Sequence, residues 1–173
     1  MLSQLLSVAP GLCPGICPAE QQGLGVEYFL STFTNRIDKK GRISVPAEFR
    51  AILTRRGSNR LFANKSIRYP CVDAFGEDYV DSMMKRIREM EYDTDEQDDY
   101  LDTTAAAILP LNWDGEGRVV LPEPLIAHAQ LGDMAAFVGR GDSFAIWNPA
   151  LFEARQAQAR NRQQARRRQG GGA

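Results

Sequence analysis

The 173-residue chain has one histidine and three cysteines. A single His excludes a histidine-cluster metal site and most histidine-based acid–base machinery. Three Cys cannot build a disulfide framework, and two of them, Cys13 and Cys17, lie in a proline-interrupted leader. Reduced thiols in a cytoplasmic setting are therefore expected. No uncharged apolar run reaches the ~18–20 residues of a spanning helix, so no membrane association is expected. No G-x-S-x-G, P-loop or G-x-G-x-x-G motif occurs. The formal net charge of −1 also lacks the basic excess of a nucleic-acid binder. Against these absences stands an ordinary globular composition, 43% hydrophobic and 25% charged. It can form a core and fits one domain or two very small ones.

The near-zero net charge is an average over unlike blocks. Residues 26–70 carry ten basic and three acidic side chains, whereas 71–102 carry three basic and twelve acidic. Residues 103–152 carry two basic and five acidic, and 153–173 carry six Arg against Glu153. A basic block of this kind points to a polyanionic partner in a way the total conceals.

The ends differ from the middle. Pro10, Pro14 and Pro18 break any helix in residues 1–25, and no Lys or Arg precedes the apolar stretch, so a signal peptide is not expected. That segment is read as a disordered leader or a misread start. Residues 153–173 are Gln, Ala and Arg, ending in Gly170-Gly171-Gly172. Asn148-Pro149 suits a helix start, with Leu151 and Phe152 docking its first turn. No apolar stripe follows, so the helix is expected to fray or project. Its arginines either hold phosphates or serve solubility.

The middle is organised by a repeat. Asp38-Lys39-Lys40-Gly41-Arg42-Ile43-Ser44-Val45-Pro46 aligns without gaps to Asp114-Gly115-Glu116-Gly117-Arg118-Val119-Val120-Leu121-Pro122, at an offset of 76. Each copy predicts a strand, a D-x-x-G-R turn needing glycine, a second strand, a helix opened by proline (Ala47–Arg56 and Glu123–Gln130), two more strands and a closing helix. Tyr79, Val80, Met83, Met84, Ile87 and Met90 form a helical stripe read as core or subunit interface. Thr94 with Gln97 predicts a capping box for a helix to about Ala106. The copies span 26–90 and 105–152, joined by an acidic linker over 91–104. A unit of about 55 residues buries too little surface to stand alone. Two interlocked copies, their strands pairing with each other in a pseudo-twofold barrel with flanking helices, are therefore expected, an α+β fold that is mainly β.

The D-x-K-G-R motif at Asp38–Arg42, the following Ser44-Val45-Pro46, the second D-x-x-G-R copy at Asp114–Arg118 and the Tyr69-Pro70-Cys71 segment together resemble the MraZ family. The similarity covers about residues 26–155. Members of that family resemble AbrB-type swapped-hairpin proteins with the half-module duplicated in one chain. The resemblance implies a bacterial, nucleoid-associated transcriptional regulator. Such a protein binds direct repeats upstream of its own division and cell-wall gene cluster, usually repressing it, as a ring-shaped homo-oligomer. It implies double-stranded DNA as partner and no cofactor, metal or small-molecule substrate. The leader and the Arg-rich tail carry no such inference.

The residues fit that chemistry. Arg42 offers the planar fork that pairs with a guanine edge, while Lys40, Lys39 and Arg36 suit phosphates. Asp38, Gly41, Asp114, Gly117 and Arg118 are read as the structural parts of the two turns. Copy two carries Gly115 and Glu116 in place of the lysines, and an acidic side chain repels phosphate, so this copy reads as the structural or oligomer-contacting half. Two alternatives stand beside DNA binding. An enzyme would need a positioned pair, but the acidic residues crowd one linker and His128 has no partner motif. A scaffold or antitoxin-like protein of AbrB type could use the tail as an arm, yet no anchoring aromatic follows Phe152.

Overall fold

The computed structural model describes residues 28–89 and 95–170. The leader with Cys13 and Cys17, Met90 and Thr94 lie outside the described residues. Copy one contributes β1 (Thr32–Arg36), β2 (Arg42–Ser44), α1 (Ala47–Arg55), β3 (Leu61–Lys65), β4 (Cys71–Phe75) and α2 (Glu77–Arg88). Between the copies lies α3 (Asp95–Tyr100), which runs into a π-helical turn over Leu101–Ala105. Copy two contributes β5 (Leu109–Leu111), β6 (Arg118–Val120), α4 (Glu123–His128), β7 (Met134–Gly139), β8 (Phe144–Trp147) and α5 (Pro149–Gly170).

The topology carries the duplication. Six strands form one sheet in the order β1-β7-β8-β4-β3-β5, and β2 pairs with β6 in a separate ribbon. All these pairs are antiparallel. Exchanging each strand for its counterpart in the other copy returns the same order read backwards. The first strands cross over: β1 pairs with β7 (Thr32↔Val138 to Arg36↔Met134) and β5 with β3 (Leu61↔Leu111). The described sheet does not close into a ring. β1 and β5 are its edges, and β1 reaches the ribbon through the isolated bridge Ile37↔Ile43, where the Asp38–Gly41 turn directs the chain away.

The core lies between the sheet, the ribbon and the short helices. Phe49 of α1 sits 5.3 Å from the rings of Phe29 and Phe33 and 4.9 Å from Phe144. Ile43, Val45, Val119 and Leu121 are buried on the inner side of the ribbon. Burying each such side chain contributes about 1.5–3 kcal/mol. On the opposite face of the sheet, Trp147, Cys71 and Ala136 are covered by Tyr69, Leu151 and Phe152. α5 is fixed there. The Asn148 carboxamide oxygen accepts from the Ala150 amide at 3.0 Å, and the Arg155 guanidinium lies 4.2 Å over the Tyr69 ring while donating to its hydroxyl at 2.7 Å. Within α2, Met83 and Ile87 of the predicted stripe are buried against the rest of the chain.

Several boundaries differ from the sequence reading, each for a local reason. The first strand, whose alternating apolar positions Phe29, Phe33 and Ile37 suggest a start at Phe29, begins only at Thr32 because Ser31 has φ 69°, and Phe29 instead bridges Gly141. α4 ends at His128, short of Gln130, which has φ 51°. The linker helix leaves the α form after Tyr100. There the Thr103 hydroxyl donates to the Asp99 carbonyl at 2.5 Å, a back-bond that competes with the helical ladder. His128 Nε2 lies 3.1 and 3.2 Å from the carbonyls of Ser66 and Tyr69 and ties α4 to the β3–β4 loop.

Candidate nucleic-acid interface

The two D-x-x-G-R segments fold into superimposable turns at opposite ends of the β2–β6 ribbon. In copy one, the Asp38 carboxylate accepts from the Lys40 amide (2.8 Å) and the Arg42 amide (3.0 Å) through one oxygen, and from Arg42 Nε (2.6 Å) through the other. In copy two, Asp114 accepts from the Glu116 amide (2.9 Å), the Arg118 amide (3.0 Å) and Arg118 Nε (2.8 Å). Gly41 and Gly117 both have φ 73°, the left-handed conformation that closes the turn and that L residues adopt at a cost. The motif is thus a geometric requirement: a carboxylate two and four residues ahead of the amides it receives, and a glycine where φ is positive.

These hydrogen bonds hold both carboxylates ionised. Asp38 is lowered to about 2, first by the Arg42 amide, then by the Arg42 side chain and the Lys40 amide. Asp114 is lowered by the corresponding groups of Arg118 and Glu116. The Arg118 guanidinium is raised, first through its hydrogen bond to Asp114 and further by the charges of Glu116 and Asp38.

The ribbon pairs Arg42↔Val120, Ile43↔Val119 and Ser44↔Arg118. It is extended by the bonds Val45 N–H to the Gly117 carbonyl (3.0 Å) and Leu121 N–H to the Gly41 carbonyl (2.9 Å). Because side chains alternate, Ile43 and Val119 face the core, while Arg42, Ser44, Arg118 and Val120 form an outer face. Lys39 and Lys40 are exposed at the tip of the first turn, and Arg36 is exposed at the end of β1 just before it. The Ile37↔Ile43 bridge sets Arg36 opposite Ser44, away from the turn, whereas Lys39, Lys40 and Arg42 are brought together at one end of the ribbon. The depression beside them, about 560 Å³, also holds Glu123 and Asp133, so the lysines are open to a polyanion from the outer side of the turn.

The two arginines are used differently. Arg42 commits Nε to Asp38, and its two terminal nitrogens have no partner among the described residues. Arg118 commits Nε to Asp114 and Nη1 to Glu116 at 2.6 Å. Glu116 therefore neutralises its own turn, beyond replacing a lysine. The Asp–Arg pair itself is present in both copies. Sequence reasoning missed Arg50 on α1. Its Nε donates to the Val45 carbonyl at 3.2 Å, and its guanidinium lies over Gly117, in the space a Cβ would take. Its counterpart at the same offset, Ile126, lies near Gly41. The signal was this departure from equivalence eight residues after Arg42. Among the described residues, no group of three or more His, Cys, Asp or Glu side chains could hold a metal ion. No described helix is long and apolar enough to cross a membrane.

Fold and turns together define an internally duplicated α+β protein whose copies exchange their first strands and present two unequal turns on a shared ribbon. The sequence model of a family described as "MraZ protein, putative antitoxin-like" matches residues 109–170. The chain is 40% identical over 126 residues to a protein of Rickettsia bellii (strain OSU 85-389), covering 72% of this chain and 84% of the relative. It is 38% identical over 125 residues to one of Rickettsia akari (strain Hartford) and 39% over 125 to one of Rickettsia canadensis (strain McKiel), with the same coverage. Each of the three is named transcriptional regulator MraZ. The chain belongs to the MraZ family.

Proposed function

We propose that this chain is a transcriptional regulator that binds double-stranded DNA sequence-specifically through the copy-one end of its ribbon, and is not an enzyme. A two-stranded antiparallel ribbon fits the major groove. In this reading Arg42 reads a guanine edge with its terminal nitrogens while Asp38 fixes its orientation through Nε. Lys40, Lys39 and Arg36 contact phosphates, and copy two supports the turn. The observation that carries the assignment is the contrast between Arg42, whose fork is open, and Arg118, whose fork is closed by Glu116. The names of the relatives support the same role. The reading extends to direct repeats upstream of the chain's own division and cell-wall gene cluster, to repression from the nucleoid, and to a ring-like homo-oligomer of swapped-hairpin barrels. One charged turn per chain makes few phosphate contacts, and repeated sites on an oligomer would raise avidity without new ones.

The test is a mobility-shift titration on the gene's own upstream DNA. Arg42→Ala should abolish the specific shift. Arg118→Ala should keep it and lose stability or assembly. Equal loss in two folded, assembled variants would refute the division of labour. No specific shift with the unaltered chain would favour the alternative of a scaffold or antitoxin-like protein, the second of which matches the wording of the family description.

A further inference from the structure

The outer half of α5 has a charge that nothing in the described chain neutralises. After Glu153 the sequence contains no acidic residue, and Arg160, Arg162, Arg166, Arg167 and Arg168 follow on a helix that continues to Gly170. All five are exposed. Among the described residues none of them makes a salt bridge, and Arg160 bonds to Gln156 at 3.0 Å. Arg155 is different, because it is occupied by Tyr69 and serves as the helix anchor. Beyond that anchor no apolar stripe exists to pack against a protein face. From Arg160 to Arg168 the helix rises about 12 Å at 1.5 Å per residue. Duplex DNA presents about seven phosphate charges along that length. Arg162 and Arg166 are four apart, a like-charge spacing that opposes the helix unless an anion intervenes. Arginine is also the cation whose fork matches a phosphate.

We propose that residues 160–168 of α5 form a second DNA contact, gripping the sugar–phosphate backbone without reading sequence, in addition to the ribbon. The inference rests on the DNA-binding reading of the ribbon. It divides the work: the copy-one turn sets specificity, and the anchored arginine helix adds sequence-independent affinity. It also accounts for a firm anchor at Phe152 and Arg155 on a helix that packs nothing further out.

The experiment uses the full chain with all five arginines changed to glutamine, which keeps helix propensity and length, and a second variant with lysine at the same positions. Binding to the upstream repeats and to unrelated duplex is titrated at several salt concentrations. With glutamine, both affinities should fall by at least about tenfold and by the same factor, leaving their ratio unchanged. The slope of log K against log salt should become shallower by about 0.9 for each phosphate released. The lysine variant should retain the slope. A glutamine variant with unchanged affinity and slope, while the unaltered chain binds its repeats specifically, overturns the second contact and leaves the ribbon reading intact. So does a change of assembly mass in place of affinity, which would seat the arginines on acidic residues of another copy. If the unaltered chain binds no DNA, both readings fall. If it binds DNA with no preference for the repeats but the glutamine variant still loses affinity, only the ribbon reading falls.

Discussion

Gly41 and Gly117 have the same backbone conformation but different surroundings, so alanine at each position separates the cost of the turn from the use of the turn. Both sit at φ 73°, where an L side chain costs about 1–2 kcal/mol. At Gly117 the new Cβ would overlap the Arg50 guanidinium. That side chain is long and can swing out, but it forfeits its bond to the Val45 carbonyl, worth about 0.5–1.5 kcal/mol. Gly117→Ala should therefore destabilise by about 2–3 kcal/mol. At Gly41 the Cβ would lie 3.0 Å from the Leu121 carbonyl oxygen and 3.2 Å from Ile126 Cδ1. The carbonyl is backbone, held in place because the Leu121 amide bonds the Gly41 carbonyl at 2.9 Å. Gly41→Ala should cost about 2 kcal/mol. For a domain of this size either loss lowers Tm by roughly 4–12 °C. Urea unfolding followed by fluorescence of Trp113 and Trp147, at one fixed chain concentration, measures both. The variants should part on DNA, because Gly41→Ala displaces Arg42 and Gly117→Ala does not. The reasoning is refuted if either variant unfolds within about 0.5 kcal/mol of the parent, or if Gly41→Ala keeps full specific binding.

The lowered pKa values of Asp38 and Asp114 give a second test. A carboxyl whose folded value lies below the ordinary ~3.9 stabilises the fold above that value and loses its contribution as pH falls through the folded one. Stability should thus drop between about pH 4 and pH 2, where Asp38 titrates. The double variant Asp38→Asn, Asp114→Asn should show a flatter dependence of urea midpoint on pH over that range, and an unchanged slope would contradict it. Cys71 is pushed up to about 11, mainly by burial and also by the neighbouring Asp73 charge. Its peptide, followed by mass spectrometry, should therefore alkylate slowly at pH 8 in the folded chain and rapidly once unfolded; free-thiol rates in the folded state would refute this.

Much of the fold was legible because two copies of one motif lie in one chain. The Asp-x-x-Gly-Arg spacing marks the turn and the glycine at positive φ, while the backbone amides that donate to each Asp emerge only from the structure. The segments Cys71–Phe75 and Ser143–Trp147 were legible as strands from their likeness to each other, and the second is found one residue shorter, at Phe144–Trp147. Pairing of strands between the copies was expected from the size of one copy, but not that it would be confined to the first strands, the β4–β8 seam and the ribbon while β3–β4 and β7–β8 close within a copy, since an alternating strand shows the same pattern whichever neighbour it meets. The length of α5 was also hidden, because a Gln-Ala-Arg segment without a stripe carries no periodicity for or against a helix. Arg50 stands out in the alignment against Ile126, but its contact with Gly117 and the Glu116–Arg118 pair were out of reach for another reason. Each depends on a contact across the ribbon or within a turn that only the three-dimensional arrangement defines.

Duplication within one chain removes a constraint that a symmetric dimer of half-modules would face. In such a dimer both turns are the same sequence, and any change that improves one end of the ribbon is imposed on the other. Here the buried positions stay matched, with Ile43 against Val119 and Val45 equivalent to Leu121, because both halves fill one core. The exposed positions are free to diverge, and they do so as a set. Lys39 and Lys40 face Gly115 and Glu116 in the alignment, and Arg50 faces Ile126. At the second turn the glutamate closes the fork of Arg118 and the Arg50 guanidinium covers Gly117, so that end is self-satisfied. At the first turn an aliphatic side chain supports Gly41 and the cations face outward. Divergence confined to the surface of a symmetric core gives the ribbon a direction, and under the proposed DNA-binding role a directional ribbon would suit sites repeated head to tail, each met in the same sense.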